Sequence, residues 1–117
     1  MGYDITVTKG HGFTVPLIDF EEEFDELEVQ LRKKHRSIIM GRSGSSTISG
    51  ATDSDVVWVA PRRLVDEEEP GYSEGFAWNF REKPTEAERT ELQEVAAALF
   101  GLSEPPAVEP FVVLEAR

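Results

Sequence analysis

Four large apolar side chains, Phe20, Phe24, Leu27 and Leu31, recur at i, i+4, i+7 and i+11, and this pattern limits the fold more tightly than any other. At about 100° per residue they form one narrow stripe, as in a helix that buries one face. The spacing predicts a helix over 19–36. Asp19 can cap it, with Glu22 three residues on. Seven acids lie in 19–28, while Arg32, Lys33, Lys34, His35 and Arg36 crowd the last turns. Both groups oppose the helix macrodipole, so helix stability alone accounts for the charge pattern. Val29 is the one apolar residue left off the stripe.

A second helix is expected over 85–100. Thr85-x-x-Glu88 is a capping box, and Leu92, Val95, Ala96 and Leu99 make an apolar face. Gly101 suits the residue just past its end, where the backbone turns left-handed.

The remainder reads as strands and connections. Tyr3–Thr8 alternates, Lys9-Gly10-His11-Gly12 reads as a turn, and Phe13–Leu17 is a second extended piece. Further strands are expected at Ser37–Met40, Asp55–Ala60, Ser73–Arg81 and Phe111–Leu114. The Gly- and Ser-rich stretch near 41–54 is expected to be a flexible loop, and 62–73 an exposed connection. Ser103–Pro110, with three prolines, reads as a rigid link.

Helices spaced by strand pairs predict an α+β fold. Its sheet would be antiparallel or mixed, of four to six strands, with both helices on one face. A ferredoxin-like core with an added strand accounts for this order. At 117 residues the chain is expected to form a single compact domain over 1–117.

Composition narrows the function classes. There is no cysteine, which removes disulfides, thiolate nucleophiles and zinc–thiolate sites. With 23 acids against 12 bases, the formal net charge is −11. Such a chain is repelled by nucleic-acid phosphate and by anionic membranes, so neither is expected as a direct partner. No basic leader precedes an apolar run, and no apolar stretch approaches the roughly 20 residues of a membrane span. The expected location is cytoplasmic.

Each chemical candidate is outweighed by a plainer reading. The Gly41–Gly50 segment with Arg42 has no lysine or helix start behind it, as a phosphate loop requires. Asp53-Ser54-Asp55 begins like a calcium loop but lacks the glycine and glutamate that complete one. His11, between two glycines, is the one residue to test as a general acid or base, with Asp4 and Asp19 as orienting partners. No cofactor and no metal are called for.

The surplus feature is negative charge. The expected function is a non-enzymatic, acidic protein-binding domain: an inhibitor, an antagonist or a small regulatory subunit acting on a basic surface of a partner protein. A row of carboxylates can also imitate a phosphate backbone, which makes a nucleic-acid mimic one form of this idea. The candidate contacts are Glu21, Glu22, Asp25 and Glu26 on the first helix and Asp66, Glu67, Glu68 and Glu69 in the later acidic run. The alternatives are a structural subunit of a larger assembly such as a viral particle, and a small enzyme using His11.

Overall fold

In the computed structural model, residues 5–42, 56–68 and 82–116 are described. They form strand β1 (Ile5–Pro16), helix α1 (Phe24–Lys34), strands β2 (Ile38–Arg42), β3 (Val56–Pro61) and β4 (Asp66–Glu68), helix α2 (Glu86–Ala98) and strand β5 (Glu109–Ala116). The strand expected at Ser73–Arg81, the Gly-Ser stretch beyond Arg42 and Glu69 lie outside the described residues.

The fold is α+β, with antiparallel strand pairs throughout the described sheet and two helices on one of its faces. β1 is the central strand. Residues 5–12 pair with β5 on one edge, from Ile5↔Ala116 to Gly12↔Glu109. The other edge pairs first with β4 and then with β3, whose far side carries β2. Starting from Phe13↔Val59, unbroken pairing would bring position 63 opposite Lys9. Asp66 stands there instead, three residues on. The extra length is the 3-10 turn Arg62–Leu64, so β3 and β4 are one track along β1 with a short excursion between them. This order is compatible with a ferredoxin-like core.

The expected turn at Lys9–Gly12 is overturned: β1 runs unbroken through it. Glycine is needed here for close approach, not for reversal. A Cβ on Gly12 would collide with the backbone oxygen of Val59, and one on Gly10 would enter the ring of Phe111, its cross-strand partner. Within the exposed connection expected at 62–73, Asp66–Glu68 instead pairs with β1 as a strand, and 69–73 lie outside the described residues.

Strand alternation sends Phe13, Val15, Val57, Val59, Ile38 and Met40 to the face that meets Phe24, Leu27 and Leu31 of α1 and Leu92, Val95 and Ala96 of α2. Phe13 and Phe20 both meet Phe100 edge-on, with ring centroids 5.7 and 5.0 Å away. Three of the four stripe residues, Phe24, Leu27 and Leu31, are therefore the core face of α1, Phe20 lies in the turn before it, and Val29 is exposed, as its position implied.

Candidate functional site

The acidic segment begins where β1 ends. Leu17 is buried and Phe20 is drawn against Phe100, so the chain between them is pulled into a 3-10 turn and a further turn before α1 can start. The helix begins at Phe24, about one turn later than its acids suggested. Asp19 does not cap it. Glu23 holds that position, without a capping hydrogen bond from its side chain.

This displacement changes what the acids do. Asp25 and Glu26 lie in the first helical turn, where the macrodipole favours negative charge. Glu21 and Glu22 lie before the helix, in a turn, and the helix supplies only part of a reason for them. Around them, Asp19 and Glu23 are also exposed, and Ile18 is 81% exposed. Among the described residues, Asp19, Glu21, Glu22, Glu23 and Asp25 have no ion-pair partner. Glu26 receives only a long contact, 3.5 Å, from the amide of Gln30. The result is a solvated group of carboxylates beside a projecting isoleucine, held by the buried anchors Leu17, Phe20 and Phe24.

The second predicted group is not brought to the first. Asp66 pairs opposite Lys9, and the first group follows Pro16. Seven strand residues separate those points, or roughly 20 Å.

Two of the four acids of α2, Glu88 and Glu91, are taken up internally, while Glu86 and Glu94 are exposed. Glu88 accepts from Arg63 Nη2 at 2.6 Å and Nε at 2.9 Å, and it closes the capping box by accepting from the Thr85 backbone N–H at 2.8 Å. Arg63 also reaches Glu82 at 2.8 Å. The Arg63 hydrogen bond is the main reason the Glu88 carboxyl is held below its ordinary pKa. Glu91 lies 2.9 Å from Nδ1 of His35 and accepts from the Ser37 hydroxyl at 2.8 Å. Both groups converge on the carboxylate and the hydroxyl does not approach the imidazole, so this is a clasp between α2 and the α1–β2 junction. It lacks the serine–histidine contact of a nucleophilic dyad. These carboxylates were legible as acids, but their partners, 25 and 56 residues away, were not.

His11 is not in a turn. It lies within β1 opposite Pro110 and is 6% exposed. Its Nδ1 is buried with no hydrogen-bond partner. Burial pushes its pKa below the ordinary histidine value, and the nearby charges of Arg89 and Lys83 push the same way. Glu109 and a hydrogen bond with the Val108 backbone oppose them. Neither this environment nor the ion pairs place Asp19 beside it, and Asp4 lies outside the described residues. A neutral imidazole enclosed in this way is poorly placed to exchange protons with a substrate in solvent.

Opposite in sign to the acidic segment is the far end of α1. Arg32, Lys33, Lys34 and Arg36 are exposed there, and Arg62 joins them because its backbone N–H donates to the Ser37 carbonyl. Arg42, at the end of β2, lies over the ring of Phe24, 5.2 Å from its centroid. Among the described residues, no cluster of three or more His, Asp or Glu side chains is placed to hold a metal ion. No helix among them is long and apolar enough to cross a membrane. Comparison with known proteins finds no matching family model, no similar curated protein and no similar solved structure.

Proposed function

We propose that this chain is an acidic protein-binding domain that docks, through the segment from Ile18 to Glu26, on a basic surface of a partner protein. It would act there as an inhibitor, an antagonist or a small regulatory subunit, without chemistry of its own. One observation carries the reading: Asp19, Glu21, Glu22, Glu23 and Asp25 are exposed without ion pairs among the described residues, beside an isoleucine that is 81% exposed. Unpaired carboxylates steer association with a cationic surface, and one apolar side chain among them gives the contact a desolvated centre. Imitation of a phosphate backbone is the less favoured form of this reading, because Glu88 and Glu91 are engaged within the fold and the acidic run at 66–68 lies away from the segment.

The test is capture of partners from a lysate of the source cell by the native chain and by a variant carrying Glu21→Gln, Glu22→Gln, Asp25→Asn and Glu26→Gln. The expected result is a basic protein held by the native chain at 0.1 M salt and released near 1 M, as the screening length falls from about 10 to about 3 Å. The variant should not hold it. Equal capture by both chains, or retention unchanged at high salt, would overturn the proposal.

A further inference from the structure

β2 lies at the edge of the described sheet, paired with β3 alone. Its hydrogen-bond phase can be read from its neighbours. The Arg62 N–H donates to the Ser37 carbonyl at 2.7 Å, so positions 37 and 62 form a hydrogen-bonded pair. In an antiparallel ladder such pairs alternate with pairs whose backbone groups point outward. Ile38↔Pro61, Met40↔Val59 and Arg42↔Val57 are therefore the outward-pointing pairs. Pro61, which has no N–H to give, sits at one of them. The outward N–H of Ile38 is already used, since it donates to the His35 carbonyl at 3.1 Å. The N–H and C=O groups of Met40 and Arg42 form the open part of the edge.

A groove of about 200 Å³ runs beside this edge, lined by Glu28, Leu31 and Arg32 of α1, by Ile38, Ile39 and Met40 of β2, and by Arg62. Its lining combines the apolar side chains of Leu31, Ile38, Ile39 and Met40 with three charged ones. Its one acid, Glu28, is paired with Arg32 at 3.3 Å. Five of the chain's twelve basic residues, Arg32, Lys33, Lys34, Arg36 and Arg62, lie at the end of α1 beside this groove, and Arg42 stands at the other end of β2, over Phe24, in a molecule whose net charge is −11. A second copy presenting the same edge would bring these cations against their own kind, and this is how edge strands resist self-pairing. An incoming strand with acidic side chains meets no such barrier.

We propose that the β2 edge is a docking site for an extended acidic peptide segment of a partner protein, which adds as a strand beside Met40 and Arg42. Its backbone pairs with the open edge, alternate apolar side chains enter the groove over Leu31 and Met40, and its carboxylates meet Arg32 and Arg62. The proposal uses none of the carboxylates of the acidic segment. Nucleic acid is the less favoured occupant, because an open strand edge complements a peptide backbone and not a phosphate chain.

The probe is a blocked six-residue peptide alternating valine and glutamate, titrated into the ¹⁵N-labelled full chain. Expected are shifts at the Met40 and Arg42 amides with slowed hydrogen exchange. The same peptide N-methylated on the amides that would face β2 should bind about 10-fold more weakly or worse, because it keeps charge and side chains but cannot pair. Exchanging glutamate for lysine, or using Arg32→Gln with Arg62→Gln in a chain whose spectrum is otherwise native, should weaken binding by about 10-fold. The proposal is overturned if no peptide binds, if the N-methylated peptide binds equally well, or if the shifts lie elsewhere. It is also overturned if single-stranded oligothymidylate shifts these amides and the peptide does not, or if protein concentration alone reproduces the shifts.

Discussion

One oxygen of Glu88 lies 2.6 Å from Arg63 Nη2 and also accepts from the Thr85 backbone, so a single carboxylate caps α2 and ties it to the turn between β3 and β4. Thr85→Ala removes the reciprocal cap and should cost about 1 kcal/mol, or roughly 5 °C in Tm. Glu88→Gln should cost stability chiefly near neutral pH. The folded-state pKa of Glu88 is depressed, first by Arg63, so the stability it contributes is present above the unfolded value near 4.5 and is lost as pH falls through the folded value. Urea titrations of both chains should converge as the pH is taken down through this range.

His11 acts in a higher pH window. Its folded-state pKa is depressed by burial and by Arg89 and Lys83, so below about 6.5 the unfolded chain takes up a proton that the folded chain refuses. The native chain should lose stability between pH 7.5 and 5.5, and His11→Gln should remove much of that slope. Parallel slopes in the two chains would contradict the assignment.

Gly12 and Gly101 are held to glycine for different reasons. Gly12→Ala drives a methyl into the Val59 carbonyl and should cost roughly 1–3 kcal/mol or prevent folding. Gly101 has φ +65° with open space around it, so Gly101→Ala meets only backbone strain, about 1 kcal/mol. Chemical denaturation should rank the two in that order.

On α1, Leu31→Ala should cost about 2–5 kcal/mol, because the residue is 2% exposed at the centre of the core. Val29→Ser, on the solvent side, should change stability by less than about 0.5 kcal/mol.

The late start of α1 separates its acids energetically. Asp25→Asn and Glu26→Gln should each lose about 0.3–1 kcal/mol of favourable interaction with the helix dipole. Glu21→Gln and Glu22→Gln, placed before the helix, should be neutral or slightly stabilising, because they relieve repulsion from their neighbours. Thermal unfolding of the two double variants would show the split.

Features set by local chemistry were legible in the sequence. The Thr85 cap, the left-handed Gly101 and the stripe Phe24–Leu27–Leu31 each depend on residues within two or three helical turns, and each stands where expected. Features set by distant contacts were not. Nothing local to 19–23 reveals that Phe100 draws Phe20 out of the helix. Gly10 and Gly12 carry the composition of a turn, although they serve close packing against Phe111 and Val59. β4 was missed because three acids in a row favour no strand, and only pairing with β1 makes one. At the acidic segment, the residue types and their exposure were readable. Their separation from the run at 66–68 depends on the register along β1.

The excursion Arg62–Leu64 carries Arg63, and it occupies the three residues by which the β3–β4 track slips along β1. Shortening the chain by this turn would let both halves of the track keep their alignment with the central strand, while α2 would lose its Arg63 lashing and keep the Glu91 clasp. Sheet and helix attachment are thus separable traits in this molecule, and a three-codon change can alter one and leave the other as it was.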